Sequence, residues 1–432
     1  MVETNFKQTE IGLIPEDWEF KRIGDAFTFK NGLNKEKAFF GYGYPIVNYM
    51  DVYNNPGIHP ERIKGKVFLN STELKSFNVK QGDVLFTRTS ETQEEIGIAS
   101  VVLDEMENLV FSGFLLRGRT YTTDFNINFC QYCFRSSEVR QQIISKSSYT
   151  TRALTNGRLL SDIFVALPNL DEQQAISKAL SDTDAWIGSL EKLIAKKRLI
   201  KQGAMQQLLT PKEDWEVASL SDLTKVFTKQ TGFDYTAYIK PVLVQTKFDY
   251  VIPFIQNKDF NNKWINLNTD YYIPIQIAKK FPRILLDEKS LLISISGAIG
   301  NIGVYDNEQL AFIGGAVAIL KFKDVKSIDW VMYYLKSDQG QNKLFGNVKA
   351  GSHQNLILDD LRKIQIPFPI VDEQIRIANI LSDMDKEIDA IEHKLQKAQQ
   401  IKQGMMQQLL SGKIRLVAAN KSANYNEQVT VS

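Results

Sequence analysis

DEQQAISKALSDTDAWIGSLEKLIAKKRLIKQGAMQQLLT, residues 171–210, decides the organisation of this chain, because a close copy of it occurs later. Residues 372–411 read DEQIRIANILSDMDKEIDAIEHKLQKAQQIKQGMMQQLLS, and about half of the aligned positions are identical without a gap. Shared helix composition alone does not produce agreement at this level. We therefore interpret the two stretches as an internal duplication.

Each copy predicts one long helix with a narrow apolar seam. Asp171 and Asp372 stand at the two starts, and Pro168 and Pro369 lie just upstream, where they do not break a helix. Apolar or small residues then recur in the alternating four-and-three spacing of a coiled coil, namely Ile176, Leu180, Thr183, Ile187, Leu190 and Ile194, and Ile377, Leu381, Met384, Ile388, Ile391 and Leu395. At ~1.5 Å per residue each helix would be ~60 Å long. A narrow seam needs a partner, so we predict that the two helices pair in antiparallel orientation as a spacer.

Composition restricts the class of protein. The chain has 432 residues, 43% of them hydrophobic, which is typical of a globular protein with more than one domain. No apolar run approaches the roughly 18 residues of a membrane span, and the start MVETNFKQTE does not resemble a signal peptide, so we expect a cytoplasmic protein. The net charge of +2 neither favours nor excludes binding to nucleic acid.

The repeating unit is larger than the helix. Asp-Trp-Glu occurs near the start of the chain, at residues 17–19, and again after the first helix, at residues 214–216. Each is followed by a segment of mixed strand and helix patterns, which predicts an α/β (α+β) fold with an approximate internal two-fold repeat. The predicted parts are a first globular domain at 1–170, a spacer helix at 171–210, a second globular domain at 211–370, a second helix at 371–416 and a disordered tail at 417–432.

These features together resemble the specificity subunit of type I restriction-modification systems, over nearly the whole chain. The resemblance is carried by the duplicated DEQ and IKQG(A/M)MQQLL helices, by the proline-containing approaches LPNLDEQ and IPFPIVDEQ, and by the IPEDWE entry. It implies two target-recognition domains that each read one half of a gapped DNA site, and helices that set the gap and dock two modification subunits. It also implies restriction (motor-nuclease) subunits as partners, and S-adenosylmethionine, ATP and Mg on those partners and not on this chain.

Base recognition needs polar side chains that carry hydrogen-bond donors and acceptors on loops held by a sheet. In the first domain, polar loops at predicted strand ends supply the DNA-binding candidates Lys30, Asn31, Lys35, Thr87, Arg88, Thr89, Ser90, Ser148, Thr151 and Arg152. In the second domain, the candidates are Ser294, Ser296, Asn301, Lys349, Ser352, His353, Gln354 and Asn355. Each of these residues taken alone is also consistent with an ordinary solvated loop.

The similar ends of the two repeated helices have two interpretations. Met and Leu side chains next to amides suit a docking face for a partner helix, and they equally suit continued packing between the two helices. The candidates for partner binding are Met205, Gln206, Leu208, Leu209, Met405, Met406, Leu409 and Leu410.

The sequence predicts no catalytic or metal site. The glycine-rich stretch at residues 296–303 has no GK[ST] after it and does not match GxGxxG, so a tight hairpin is the better interpretation. Cys130 and Cys133 lie between aromatic residues and are interpreted as buried packing. The alternative to a DNA-reading subunit is a coiled-coil scaffold whose globular domains bind proteins. A self-sufficient DNA-modifying enzyme is disfavoured by the absence of nucleotide-binding and methyltransferase motifs.

Overall fold

The computed structural model describes residues 5–149, 151–346 and 355–416. They form two compact units: unit 1 contains the described residues up to Glu191 and from Lys394 onward, and unit 2 is Lys192–His393. The tail predicted at 417–432 lies outside the described residues. No helix in the described part of the chain is long and apolar enough to cross a membrane.

Unit 1 contains fifteen described strands, most of them short. They are β1 (Phe6–Thr9), β2 (Gly12–Pro15), β3 (Glu19–Arg22), β4 (Phe27–Asn31), β5 (Phe40–Val47), β6 (Gly57–Ile58), β7 (Lys66–Val67), β8 (Val84–Thr87), β9 (Thr89–Ser90), β10 (Ala99–Val102), β11 (Val110–Phe111), β12 (Leu115–Thr120), β13 (Ser148–Tyr149), β14 (Ala153–Leu154) and β15 (Phe164–Leu167). Its shorter helices are α1 (Tyr49–Asn54), α2 (Ser71–Ser76), α3 (Ile127–Cys133), α4 (Ser137–Lys146) and α5 (Gly157–Ser161). The long helix α6 (Leu170–Leu208) begins in this unit.

Unit 2 has the same kinds of element. Its helices besides the long ones are α7 (Leu220–Leu223), α8 (Gly232–Asp234), α9 (Ile275–Ala278), α10 (Ile328–Lys336), α11 (Asp338–Phe345) and α12 (Leu358–Arg362). Its described strands are β16 (Glu216–Ser219), β17 (Thr224–Lys229), β18 (Val251–Ile255), β19 (Phe260–Asn261), β20 (Trp264–Ile265), β21 (Tyr272–Pro274), β22 (Leu285–Leu286), β23 (Ser290–Ser294), β24 (Ile302–Tyr305), β25 (Ala311–Ile313), β26 (Val317–Phe322) and β27 (Gln365–Phe368). The second long helix, α13 (Val371–Leu409), begins in this unit.

The two units share a topology although their sequences differ. The main sheet of unit 1 has the order β4-β12-β8-β10-β6, and that of unit 2 has the order β17-β26-β23-β24-β20-β19. In each sheet the pairing next to the edge is parallel, β10 with β6 and β24 with β20, while the central pairs are antiparallel. A second parallel pair, β11 with β5 and β25 with β18, also recurs. This agreement confirms the predicted repeat and the mixed α/β fold.

The long helices run in opposite directions within each unit. As the residue number rises along α6, the number of its partner on or just after α13 falls, which only an antiparallel pair produces. The pairs are Glu172 with Arg415 and Asp184 with Lys402 in unit 1, and Arg198 with Glu392 and Lys201 with Asp385 in unit 2. Eight of the twelve predicted seam residues are buried: Ile176, Leu180, Leu190, Ile194, Ile377, Leu381, Ile388 and Ile391. The other four, Thr183, Ile187, Met384 and Leu395, are half-buried.

The glutamine of each DEQ motif explains why the motif follows a proline. Gln173 is fully buried, and its side-chain amide donates to the carbonyl of Pro168 at 2.8 Å. Gln374 repeats this bond to Pro369 at 2.7 Å in unit 2. Each glutamine therefore satisfies a buried carbonyl at the point where the chain leaves a strand and enters the helix.

Each globular domain packs on the long helices through its hydrophobic core. In unit 1, the core around Trp18 includes Ile176 of α6 and Leu409 of α13. In unit 2, the core around Trp330 includes Leu381 of α13. Because complete burial of such a side chain contributes about 1.5–3 kcal/mol, these contacts hold each domain firmly against its helices.

Candidate nucleic-acid interface

The candidate residues of unit 1 meet at one edge of the domain, where several strands end. Strand β14 pairs with β9, so that Ala153 lies opposite Ser90 and Leu154 opposite Thr89. This short sheet brings two loops together that are far apart in sequence, with Arg88 before β9 and Arg152 just before β14. The residues gathered there are Arg88, Thr89, Ser90, Ser148, Thr151 and Arg152.

Asn31 reaches the same edge from the neighbouring sheet. It ends β4 and lies opposite Leu116 of β12, whose preceding residue Leu115 lies opposite Thr87. Asn31 is exposed, so its amide is available for recognition. Asn31 was predicted to lie in a loop at a strand end, and it is the last residue of the strand itself.

The two lysines near Asn31 bind other residues of their own domain. Lys30 donates to the carbonyl and the hydroxyl of Ser76, both at 2.7 Å. Lys35 forms an ion pair with Glu73 at 2.6 Å and lowers the pKa of that carboxyl group. Either lysine would have to give up these internal bonds before it could contact a phosphate.

Three hydroxyl residues proposed as DNA contacts, Thr87, Ser90 and Ser294, are buried, and we revise the role of Thr87 and Ser294. Thr87 donates to the backbone carbonyl of Glu95 at 3.1 Å and accepts from the amide of Ile98 at 2.9 Å. In unit 2, Ser294 donates to the carbonyl of Ala298 at 2.6 Å and accepts from a backbone amide of the same hairpin. A polar residue at a strand end can stabilise a loop as well as read a base, and these two shape their loops.

The unit 2 candidates surround the glycine-rich hairpin. Strands β23 and β24 pair antiparallel, and the turn between them has positive φ at Gly297 and Gly300, which confirms the hairpin interpretation. Ser296, in the turn, bridges to Asn355, and both Asn301 and Asn355 are exposed. The other predicted residues of this loop, Lys349, Ser352, His353 and Gln354, lie outside the described residues.

Sequence reasoning missed several residues at these edges. In unit 1, Phe114 is 61% exposed in the turn between β11 and β12, and its carbonyl accepts a bond from the Arg88 amide at 2.9 Å. In unit 2, the Asn257 side chain donates to the carbonyl of Ser296, and Gln230 directly follows strand β17 of the same sheet. Phe114 has no sequence signal, because FSGF reads as an ordinary strand segment. Gln230 and Asn257 follow strands, and that position was the available signal.

A three-residue contact between domain and helices, which we call the helix joint, was also missed. In unit 1, Tyr132 of α3 donates to the carboxylate of Asp184 in α6 at 3.0 Å. Lys402 of α13 forms an ion pair with the same carboxylate at 2.5 Å. Burial, together with this carboxylate, raises the pKa of the Tyr132 phenol well above its usual range, so the phenol remains a donor.

Unit 2 repeats the helix joint with the roles of the two long helices exchanged. Tyr333 of α10 donates to Asp385 of α13 at 2.8 Å, and Lys201 of α6 pairs with that carboxylate. Burial likewise raises the pKa of the Tyr333 phenol. The same chemistry therefore fixes each globular domain to its part of the helix pair.

The candidates for partner binding lie mainly against their own domains. Leu209 belongs to the core of unit 2, and Met205 and Leu208 pack on that core. Leu409 and Leu410 belong to the core of unit 1, and Met405 and Met406 pack on it. This placement supports the packing interpretation for the apolar residues. Gln206 is exposed, and its role in docking stays a prediction.

No group of three or more His, Cys, Asp or Glu among the described residues is arranged to hold a metal ion. Cys130 and Cys133 are buried in the core of unit 1, as predicted. Burial raises the pKa of the Cys133 thiol, which keeps it protonated.

Comparison with known proteins gives one consistent family. The family described as type I restriction modification DNA specificity domain matches the chain twice, at residues 15–199 and 212–403. The specificity subunit of the type I restriction enzyme MjaVIII of Methanocaldococcus jannaschii is 25% identical, over 97% of this chain and 98% of its own. The MjaX protein of the same organism, provisionally assigned as such a subunit, is 27% identical over 96% and 97%.

Solved structures agree with the fold. The S subunit of the type I restriction-modification system of M. genitalium matches with a TM-score of 0.55 and 15% identity, over 95% of this chain and 97% of that one. A chain from a structure concerned with assembly and conformational transition of the type I R-M system matches with a TM-score of 0.57 and 16% identity, over 93% and 99%. Both similarities extend over nearly the entire length of each chain.

Proposed function

Because the chain belongs to the family of type I restriction modification DNA specificity domains, we propose that its two domains read the two halves of a gapped, asymmetric DNA site. It is a DNA-recognition subunit, and unlike half-sites follow from the different residues that the two domains place at the same topological edge. In unit 1 these include Arg88 and Arg152, whereas in unit 2 they include Asn301 and Asn355. Arginine and asparagine side chains hydrogen-bond to different base edges.

The observation that carries this proposal is the repeated helix joint. Two domains with unlike reading edges are fixed to the helices by the same contacts, Asp184 with Tyr132 and Asp385 with Tyr333. A protein that reads two different half-sites needs the same attachment to the helices in both domains and different residues at the two reading edges. Recognition from one face of the duplex favours half-site centres about one helical turn, roughly 10 base pairs, apart.

We propose that catalysis is supplied by other subunits. Two modification subunits would dock on the long helices, restriction subunits would join for cleavage, and S-adenosylmethionine, ATP and Mg would be bound by those partners. The complex would act in the cytoplasm. The small net charge of +2 is consistent with partners that share the phosphate contacts.

Co-expression with the neighbouring modification subunit, followed by methylation-aware sequencing of the host DNA, tests the proposal. We expect a split motif that depends on this chain. Exchange of residues 15–167, the segment before α6, for the same segment of a family member should change one half of the motif and leave the other unchanged.

A scaffold that binds only proteins would behave differently. It would give no sequence-selective DNA affinity, and an undivided motif or no motif with an active partner would contradict the two-reader proposal. Salt titration of the assembled complex gives a second measurement, because DNA binding weakens steeply as salt rises.

A further inference from the structure

A polar cavity opens at the candidate interface of unit 1, where β9 and β14 meet α1. Its volume is ≈ 260 Å³. Hydroxyl, carboxylate and guanidinium groups line it together, from Tyr49, Thr89, Ser90, Glu91, Glu95 and Arg152. It is therefore a small recess with both donors and acceptors, located among the residues gathered by the β9–β14 sheet.

The carboxylate of Glu95 is held in a defined position within this cavity. One of its oxygens accepts from the Tyr53 hydroxyl at 2.7 Å, and the other accepts from the Ser90 hydroxyl at 3.2 Å. Both of these partners are neutral, so they orient the carboxylate without cancelling its charge. An ionised carboxylate offers about four lone-pair sites, and two hydrogen bonds leave acceptor capacity for a ligand.

A carboxylate held at a DNA-binding edge repels the phosphates of the DNA backbone. Its presence there therefore points to a contact with a base. In the major groove a carboxylate can accept a hydrogen bond from the amino group of a base. The usual donor to a carboxylate there is the N4 amino group of cytosine. Arg152 lines the same cavity, and arginine donates to O6 and N7 of guanine. One C·G pair presents the amino donor beside these two acceptors.

We propose, building on the function proposed above, that this cavity reads a C·G base pair in the half-site of the first domain. Glu95 accepts a hydrogen bond from the cytosine N4 amino group, and Arg152 donates to the guanine. Tyr53 and Ser90 are positioning residues that aim the carboxylate. Glu95 is thus a specificity-determining residue, and its negative charge discriminates against bases that present only acceptors.

The test uses Glu95→Gln in the full chain, co-expressed with the modification subunit. The amide is nearly isosteric and can still accept from Tyr53, so the domain should fold, which thermal unfolding checks. Glu94→Gln is the matched control, because Glu94 is exposed on the same loop and its substitution removes the same charge. Methylation-aware sequencing then gives the motif for each protein, and exchange of residues 15–167 identifies the half read by the first domain.

We expect one C·G position in that half to lose its preference by on the order of tenfold or more in Glu95→Gln, with A·T gaining, since glutamine pairs well with adenine. Glu94→Gln should keep the wild-type motif. A first-domain half without a C·G pair, an unchanged motif in Glu95→Gln, or the same change in both variants would overturn the inference. Failure of the two-reader function itself would be seen earlier, as a wild-type protein that gives no split motif.

Discussion

The hydroxyl of Tyr333 donates to the carboxylate of Asp385 at 2.8 Å, across the boundary between a recognition domain and a long helix. Lys201 pairs with the same carboxylate, and its ammonium lies 5.6 Å from the centre of the Tyr333 ring. Three side chains from three helices therefore share one partly buried polar contact. Since unit 1 contains the equivalent contact, this arrangement is a property of the repeat and not of one domain.

The helix joint should contribute measurably to the stability of unit 2. Asp385→Asn keeps the shape of the side chain but removes the charge that binds Lys201 and strengthens the bond from Tyr333. We expect a loss of about 1–3 kcal/mol in the free energy of unfolding, measured with urea. Asp383→Asn is the control, because Asp383 is exposed on the same helix and pairs with Lys386 at the surface. Equal effects of the two substitutions would show that the joint adds nothing beyond a surface ion pair.

Arg415, just after the end of α13, should be far more important for stability than Arg376 near the start of the same helix. It pairs with Glu172, whose side chain is fully buried, and with Asp17. Arg415→Met would leave the Glu172 carboxylate buried without its cation, at an expected cost of about 3–5 kcal/mol. Arg376→Met removes only the half-exposed partner of Glu373 and should cost little. Thermal and urea unfolding of both variants check this ranking.

Glu373 should make unfolding depend on acid pH. Hydrogen bonds from Arg376, and then from Lys212, lower the pKa of this carboxyl group from about 4.5 to about 2. The folded state therefore holds the ionised form more strongly than the unfolded chain does. This contribution is complete above pH ~4.5 and is lost as the pH falls toward ~2.

Glu373→Gln should accordingly be less stable than the wild type at pH 7, with a difference that shrinks between pH ~4.5 and ~2. The measurement is the unfolding temperature across that range. Glu213→Gln, at an exposed position after α6, is the control and should stay close to the wild type throughout. A Glu373→Gln difference that is constant with pH would contradict the assigned ionisation.

Lys336 should destabilise the folded protein at neutral pH. It lies beside a cavity of ≈ 440 Å³ in unit 2, and burial, followed by the nearby charge of Lys201, lowers its pKa to about 8. Between pH ~8 and ~10.5 the unfolded chain binds more protons than the folded one, so stability rises with pH. Lys336→Met should gain on the order of 1 kcal/mol at pH 7 after losing the bond to the Asn262 carbonyl. This advantage should disappear by pH ~10.5, and an advantage that persists there would argue for packing alone.

The long helices could be predicted because their signal is local and repeated. The periodic positions around Ile176 and Leu381 fix both the helix and its buried face. The bounds of α6 differ from the predicted ones by one and two residues, whereas α13 ends at Leu409, before the predicted end at residue 416. The need for a partner predicted the pairing, and the antiparallel direction expected for it is the one observed. These conclusions depend on short-range spacing, which a sequence displays directly.

The reading edges were harder to predict because distant segments build them. The pairing of β9 with β14 depends on two-residue strands, which have no pattern of their own. Thr87 was predicted to contact DNA because a polar residue at a strand end gives the same sequence pattern whether it faces solvent or a buried loop. The link from Tyr132 to Asp184 joins residues 52 positions apart. Such pairings become visible only in the folded chain.

The bond between Arg415 and Glu172 also fixes an order of events during synthesis. Unit 2 is one continuous stretch, so all of its residues have been synthesised once His393 has been added. Unit 1 still lacks the second half of α13 and Arg415 at that moment, although most of it was made first. The domain whose synthesis begins first is therefore completed second. Until Arg415 has been added, Glu172 lacks its cationic partner.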